Sequence, residues 1–231
     1  MNNKKLKTIV ISDTHITGVF HKKRYAYLEN LISRCDRLIF NGDLWSYYSL
    51  SLDDVFKSKW TGLFPLMKSK RCVFIYGNHD RKEWCDDRIY QFCDEAHNEY
   101  HYKEEGVDLL ITHGHLIAND SITNETYIKF NRLVNNFNKL NQSYRFYIFL
   151  QKSLLFLMGE SKYAQLFKKL NNPHINYAQN LPDGTILVAA HTHSPAFMPE
   201  KKYINVGFIN FGLSFYLHID NGKLSLESER Y

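Results

Sequence analysis

The sequence predicts an α/β fold, and three observations lead to this prediction. In the first half of the chain, short runs of β-branched and aromatic residues alternate with amphipathic stretches of helical length. Strand-like runs return from Thr185 onward. The chain has 231 residues, 44% hydrophobic and 23% charged, which is enough for one domain with a sizeable core or for such a domain with an insertion.

The individual elements follow from these patterns in chain order. The strands predicted in the first half are Lys7–Ser12, Arg37–Asn41, Arg71–Tyr76 and Val107–Thr112. Helices are predicted around Tyr25–Arg34 and Asp53–Ser69, so the alternation indicates βαβ units. The later strand runs are TILVAAH, KYINVG, LSFYLHID and KLSLES. Asn221-Gly222, between the last two runs, predicts a hairpin turn.

Residues 119–180 differ from the rest of the chain in composition. They have no strand signal, and YIKFNRLVNNFNKL and RFYIFLQKSLLFLMG within them have helical patterns. We therefore predict a core of residues 1–118 and 181–231 with a helical insertion, or cap, at 119–180. The insertion carries the whole net charge of +5, because it contains three acidic residues and eight basic ones: Lys129, Arg132, Lys139, Arg145, Lys152, Lys162, Lys168 and Lys169.

The cysteines and the apolar runs indicate where the protein works. The four cysteines form no C-x-x-C pair, so we expect them to be packing residues in a reducing compartment. The first residues, MNNKKLKTIVIS, contain no long apolar segment of the kind found in secretory signals. No apolar run reaches the roughly 20 residues needed to span a bilayer. We therefore expect a cytoplasmic protein.

Five predicted strands end in side chains that can bind metals. The segments are Ser12-Asp13-Thr14-His15, Asn41-Gly42-Asp43, Gly77-Asn78-His79-Asp80, Thr112-His113 and His191-Thr192-His193. For any one strand a capping or surface residue is the simpler interpretation. Because the carboxyl ends of strands are where ligand sites form in α/β sheets, all five together indicate a polynuclear metal site at that edge.

The residue types also indicate the chemistry of the site. Carboxylate, amide and imidazole donors without thiolates suit Mn, Fe, Zn or Mg. A carboxylate that bridges two ions about 3.5–4 Å apart allows water to act as a nucleophile near neutral pH, and two cations stabilise charge that develops on phosphorus. The pattern therefore predicts phosphoryl chemistry.

In their order along the chain, these motifs resemble those of the calcineurin-like metallophosphoesterases, D-x-H, G-D, G-N-H-D/E, H and G-H-x-H. The resemblance covers roughly residues 6–118 and 183–220. It implies a four-layer α/β/β/α sandwich and a hydrolase with two divalent metal ions, with Mn²⁺ the expected ion and Fe, Zn or Mg as alternatives. The chain departs from the pattern at Ala190, where glycine is usual, and at Ser46, where many members carry an acid.

Carried over residue by residue, the resemblance implies a role for each motif residue. The implied ligands are Asp13, His15 and His193 for one ion and Asn78, His113 and His191 for the other, with Asp43 bridging. His79 is implied to stabilise the transition state or protonate the leaving oxygen, with Asp80 orienting it. His115 is open between a contact to substrate phosphate and a supporting or exposed position.

Within the family, the length and the insertion resemble the UDP-2,3-diacylglucosamine hydrolases, which implies a phosphorylated lipid or small-molecule substrate. The segment RFYIFLQKSLLFLM is apolar at ten of fourteen positions, which suits acyl chains and peripheral contact with the inner membrane surface, although packing on the domain explains it equally well. Those hydrolases typically carry arginine at the position of His79. The alternatives are a nuclease that binds nucleic acid through the basic insertion, a cyclic-nucleotide phosphodiesterase and a non-catalytic scaffold such as the retromer subunit of this fold.

Overall fold

A computed structural model describes residues 6–47, 50–104, 106–118 and 168–231. Most of the predicted insertion, residues 119–167, lies outside the described residues. Within the described ranges, no helix is long and apolar enough to cross a membrane.

Twelve strands and four α-helices make up the described part of the fold. The strands are β1 (Thr8–Ile11), β2 (Arg37–Asn41), β3 (Val73–Ile75), β4 (Glu95–His97), β5 (Glu99–Glu104), β6 (Val107–Thr112), β7 (Thr185–Ala189), β8 (Ala196–Met198), β9 (Tyr203–Asn205), β10 (Ile209–Asn210), β11 (Leu213–Asp220) and β12 (Lys223–Arg230). The helices are α1 (Lys22–Ser33), α2 (Leu52–Lys57), α3 (Phe64–Ser69) and α4 (Asn172–Gln179). Short 3-10 helices lie at Lys59–Leu63, Lys82–Trp84, Asp87–Gln91, Lys168–Asn171 and Pro199–Lys201.

The strands form two sheets. The seven-stranded sheet has the order β10-β11-β1-β2-β3-β4, with β12 paired to the outer side of β11. Its strands β1 to β4 are parallel, and β11 runs antiparallel to β1. The five-stranded sheet has the order β5-β6-β7-β9-β8, in which β6, β7 and β9 are parallel. The parallel strands of each sheet therefore direct their carboxyl ends to one edge.

The two sheets pack face to face, and helices cover their outer faces. Val10, Ile39 and Ile75 of the first sheet share one buried cluster with Ile111 and Val188 of the second. The opposite face of the first sheet packs against α1, α2 and α3, and the opposite face of the second sheet packs against α4. The predicted α/β fold with a layered sandwich is therefore confirmed.

Most predicted elements appear within one or two residues of their predicted bounds, and the differences have local causes. The helix predicted over Asp53–Ser69 is divided at Ser58, whose backbone is extended and whose hydroxyl accepts from Trp60 N to begin a new helical segment. Four strands, β4, β5, β8 and β10, are not among the predicted strands. These strands are short or lie at sheet edges, where polar side chains remove the apolar signal.

Two smaller predictions are also visible in the fold. Asn221 and Gly222, with φ of 55° and 70°, form the turn between β11 and β12. Cys35, Cys72 and Cys93 are buried in the core beneath α1 and α3, and burial raises the pKa of each thiol. They are packing residues.

The end of the predicted insertion takes part in the sandwich. Helix α4 lies on the outer face of the second sheet, where Ala178 is buried among Leu110, Leu187 and Tyr203. The chain between β6 and β7 thus returns to the sheet through α4 as the crossover of a βαβ unit. The division of the chain at 119–180 stays a prediction.

Candidate metal centre

The loops that follow β1, β2, β3, β6 and β7 meet at the carboxyl edges of the two sheets. Backbone bonds join the first two loops, since Asp13 N donates to Gly42 O at 3.1 Å and His15 N donates to Asp43 O at 3.0 Å. Across the other sheet, Ala190 N donates to His113 O at 3.0 Å. This sheet topology explains why residues far apart in sequence gather here.

The first group of donors comes from Asp13, His15 and His193. His193 Nε2 lies 3.0 Å from Asp13 Oδ1 and 3.1 Å from His15 Nε2. His15 Nε2 lies 3.5 Å from the same Asp13 oxygen. Three atoms that could bind one metal ion, from two distant parts of the chain, therefore face one another.

The second group of donors comes from Asn78, His113 and His191. Asn78 Oδ1 lies 3.1 Å from His113 Nε2 and 2.9 Å from His191 Nδ1. The other nitrogen of His113, Nδ1, lies 2.8 Å from Asn41 O, and this contact fixes the ring. Such a backbone partner is typical of histidines that bind metals.

Asp43 lies between the two groups. Its Oδ2 is 3.6 Å from His15 Nε2 and 3.4 Å from His113 Nε2. Asp43 is almost fully buried. The structure thus brings all seven predicted ligands together, with Asp43 in the central position.

The donor atoms fit divalent cations. His15 and His193 point ring nitrogens at each other at 3.1 Å, next to a buried carboxylate, and the seven side chains offer oxygen and imidazole nitrogen without sulfur. Burial alone would raise the pKa of Asp43, yet the neighbouring His113 and His79 hold it well below its usual range. Asp43 therefore stays an anionic oxygen donor.

Five of the seven predicted ligands lie in the left-handed region of the backbone. The φ angles are 50° at Asp13, 41° at His15, 57° at Asp43, 65° at His191 and 52° at His193. Such positions cost about 1–3 kcal/mol each for residues other than glycine and are concentrated at functional sites. All five are Asp or His, which adopt positive φ more often than most other non-glycine residues, so the residue types permit these backbone positions without predicting them.

Gly77 allows the β2 and β3 loops to approach each other closely. A Cβ at this position would lie 2.6 Å from Asp43 N and 2.9 Å from Asp80 Oδ1, well inside ordinary contact distance. The glycine in the motif is therefore required by packing against the backbone of Asp43.

Asp80 ties these two loops together. Its Oδ1 accepts from Gly77 N at 2.7 Å and Asp43 N at 3.0 Å, and its Oδ2 accepts from Leu44 N at 2.6 Å. Burial and the neighbouring Asp43 raise the pKa of Asp80 to about 7, while the amides favour its ionised form. The predicted role of Asp80 is to orient His79, whereas these three carboxylate bonds run to the backbone of Gly77, Asp43 and Leu44.

His79 lies beside the donor groups. Its ring centroid is 4.7 Å from that of His15, its Nε2 is 4.0 Å from Asp43 Oδ2, and its backbone N donates to Asp43 Oδ1 at 2.9 Å. Burial lowers the pKa of His79 to about 3, so the ring is neutral at pH 7. His79 also forms a cluster with His15 and Asp43 that could hold an ion, so its role outside the ligand set stays a prediction.

His115 lies next to the second donor group. Its ring centroid is 5.5 Å from that of His113 and 6.3 Å from that of His191. Among the described residues its buried Nδ1 has no hydrogen-bond partner. Burial and the neighbouring His113 lower the pKa of His115 to about 3. The structure therefore brings His115 to the site, and the choice between its two predicted roles stays open.

A buried arginine that is not among the predicted site residues supports the first loop. Arg24 of α1 donates to Thr14 O and to Asn210 Oδ1, both at 3.0 Å, and its guanidinium lies over the Trp60 ring. Thr14 lies between Asp13 and His15. A cation on the buried face of an amphipathic helix is the signal that could have revealed Arg24.

A sequence model of the calcineurin-like phosphoesterase family matches residues 6–195. The chain belongs to this family. Membership accounts for the order of the motifs that supply the donor groups, and metal-dependent phosphoester hydrolysis is the chemistry it indicates.

Several solved structures are similar to this calcineurin-like phosphoesterase. The phosphoesterase Yfce from E. coli matches at 16% identity over 95% of this chain and 91% of its own, with a TM-score of 0.48. Vacuolar Protein Sorting 29 from Cryptosporidium parvum matches at 11% identity over 98% of both chains, with a TM-score of 0.43. A predicted phosphoesterase from Streptococcus pneumoniae matches at 16% identity over 97% of this chain and 98% of its own, with a TM-score of 0.39. No curated protein matches the chain.

Proposed function

We propose that this protein is a dinuclear metal-dependent hydrolase of phosphoester or phosphoanhydride bonds. The observation that carries the proposal is the position of Asp43 Oδ2, which lies 3.6 Å from His15 Nε2 and 3.4 Å from His113 Nε2. One carboxylate oxygen that faces both donor groups is what a bridging ligand requires.

Each donor group is proposed to hold one ion. Asp13, His15 and His193 would hold the first, Asn78, His113 and His191 the second, and Asp43 would contact both. Mn²⁺ is the proposed ion, with Fe, Zn or Mg as alternatives, because oxygen and imidazole donors suit all of them. When bound, the ions supply positive charge that stabilises the phosphoryl transition state and makes water acidic enough to attack.

His79 is proposed to act on the phosphoryl group. Its buried ring is neutral at pH 7, and nearby cations would keep it so, because positive charge further lowers the pKa of an imidazole. A neutral imidazole donates a hydrogen bond, so stabilising a phosphoryl oxygen is favoured over delivering a full proton. The bond from His79 N to Asp43 Oδ1 holds the residue at the centre of the site.

The proposed substrate is a phosphorylated small molecule or lipid, with a UDP-diacylglucosamine-type lipid diphosphate as the specific candidate. Support comes from the composition of residues 119–180, which combine eleven aromatic residues with the whole net positive charge. The segment begins six residues after the predicted ligand His113, so at least one of its ends is tied to the site. A cytoplasmic location and peripheral contact with the inner membrane surface belong to this proposal.

A substrate panel tests the proposed reaction. The metal-free protein is supplied with Mn²⁺, Fe²⁺, Zn²⁺ or Mg²⁺ and assayed on p-nitrophenyl phosphate, bis(p-nitrophenyl) phosphate, a cyclic nucleotide, UDP-2,3-diacylglucosamine and single-stranded DNA. We expect metal-stimulated turnover of at least one ester, which Asp43→Asn abolishes. Absence of turnover on every substrate with every ion would favour the non-catalytic scaffold.

A second comparison tests the substrate class. Replacing Phe146, Phe149 and Phe156 by Ala should weaken turnover of the acylated diphosphate more than that of p-nitrophenyl phosphate, because each buried methylene contributes about 0.8 kcal/mol to binding an acyl chain. Equal losses on both substrates would make the segment a structural support. Tight, salt-sensitive binding of DNA that depends on Lys162, Lys168 and Lys169 would favour the nuclease.

A further inference from the structure

The buried Asn171, which is not a predicted ligand, makes hydrogen bonds to the residues on either side of the predicted ligand His193. Asn171 ends the 3-10 helix Lys168–Asn171 and is fully buried. Its Nδ2 donates to Ser194 O at 3.0 Å, and its Oδ1 accepts from Thr192 Oγ1 at 2.6 Å. Because Thr192 precedes His193 and Ser194 follows it, one side chain fixes the chain on both sides of that histidine.

Two more buried side chains complete this network. The Tyr203 hydroxyl donates to Asn171 Oδ1 at 3.0 Å, and Asn205 Nδ2 lies 3.3 Å from the same oxygen. Asn205 Nδ2 also lies 2.9 Å from Ala190 O, immediately before His191. Two side chains of strand β9 thus hold Asn171 in place. The network contacts the loop of His191 and His193 before, between and after these two histidines.

The same short segment reaches the loop that carries His113. His174 is fully buried, and its Nε2 lies 2.8 Å from Gly114 O. Gly114 has a φ of +102°, and a Cβ there would lie 2.7 Å from His174 Nε2, so only glycine allows this approach. The four residues from Asn171 to His174 therefore contact both loops that supply histidine ligands from the second sheet.

The backbone of the loop that carries His191 and His193 needs such support. His191 and His193 have φ of 65° and 52°, in the left-handed region that histidine adopts uncommonly. Strained positions of this kind persist where the surrounding structure over-determines them. The bonds of Asn171 to the residues on either side of His193 are constraints of that kind.

We propose that Asn171 is a positioning residue that sets the affinity of the ion held with the help of His193. The proposal rests on the proposed function, because it takes His193 as a metal ligand. Asn171 acts through the hydroxyl of Thr192 and the backbone carbonyl of Ser194, and it is not itself one of the predicted ligands. Residues that orient metal ligands typically change metal affinity about 10–100-fold when replaced.

Titration of the metal-free protein with Mn²⁺, followed by electron paramagnetic resonance and calorimetry, tests this role. Asn171→Ala is compared with Asn172→Ala, a matched control at the exposed neighbouring asparagine. We expect Asn171→Ala to bind one of two ions about 10–100-fold more weakly and to bind the other nearly as the wild type does. Asn172→Ala should match the wild type for both ions.

A second pair of variants keeps the test decisive if Asn171→Ala folds poorly. Thr192→Val removes the hydroxyl that Asn171 accepts from while keeping the shape of the side chain, and Thr192→Ser retains the hydroxyl. We expect weakened binding of one ion in Thr192→Val and recovery in Thr192→Ser. Wild-type affinity in both Asn171→Ala and Thr192→Val would overturn the role of Asn171. A wild-type protein that binds no ion would instead contradict the proposed function.

Discussion

Replacing Gly77 by Ala tests the close approach of the two central loops. Ordinary contacts of a Cβ begin at about 3.4 Å, whereas a Cβ on Gly77 would lie 2.6 Å from Asp43 N. The Asp43 loop would have to retreat by about 0.8 Å, and its bonds to Asp80 oppose this. Overpacking of this kind costs about 1–3 kcal/mol. Because the φ of Gly77 is not positive, Ala fits the backbone there. Without the clash it would stabilise the fold by about 0.4–1 kcal/mol, because it lowers the conformational entropy of the unfolded chain.

The overpacking is larger than the entropic gain, so we expect Gly77→Ala to lower the free energy of unfolding by about 1–2 kcal/mol. Displacing Asp43 by most of an ångström should lower kcat about 10²-fold. Urea unfolding and ester turnover measure the two effects. Gly18→Ala is the matched control, because its Cβ would meet only Leu50 Cδ1 at an ordinary 3.8 Å. A Gly77→Ala protein as stable and active as Gly18→Ala would refute the packing argument.

Three further perturbations address separate parts of the account. His79→Ala should lower kcat by roughly 10²–10⁴-fold with metal content intact, and loss of an ion would instead make His79 a ligand. Asn in place of Asp80 has only one oxygen and cannot accept hydrogen bonds from all three backbone N–H groups, so Mn²⁺ affinity should fall about 10–100-fold. A loss of kcat alone would support the role of Asp80 in orienting His79. Hydrogen bonds from Arg34 lower the pKa of Glu229 from 4.5 to about 2. The ionised Glu229 therefore stabilises the folded state fully above pH 4.5, and this contribution is lost as the pH falls towards 2. Glu229→Gln should thus destabilise by about 1 kcal/mol at pH 7, since the pair is partly exposed, and the difference in urea unfolding should shrink between pH 4.5 and 2.

The sequence was sufficient where apolar patterns and motif order carry the information. The strands Arg37–Asn41, Val107–Thr112 and Leu213–Asp220 have the predicted bounds, because continuous apolar runs or strict alternation mark buried strands. The seven predicted ligands lie together at the carboxyl edges of the sheets, and their role as ligands stays a prediction. Edge strands such as Glu99–Glu104 were not predicted, because much of such a strand is exposed to solvent and its polar side chains hide the apolar pattern of a strand.

Contacts made only in the folded chain could not be predicted from local patterns. Asn171 has no motif, and its importance comes from Thr192 and Ser194, which lie about twenty residues further along the chain. Two of the three carboxylate bonds of Asp80 run to a loop 36 and 37 residues earlier, whereas the sequence suggested the adjacent His79 as the partner. In both cases the partners are distant in sequence, and several of them are backbone groups, on which local sequence patterns carry little information.

Metal stoichiometry in Asp43→Asn tests the central claim most directly. The amide oxygen of Asn can replace Oδ1 and keep the bond from His79 N, while the amide nitrogen that replaces Oδ2 cannot bind a cation. Elemental analysis after dialysis against Mn²⁺ should find two ions in the wild type, mainly one lost in His15→Ala, and both depleted in Asp43→Asn. Two ions retained in Asp43→Asn would contradict the bridging role and, with it, the proposed dinuclear mechanism.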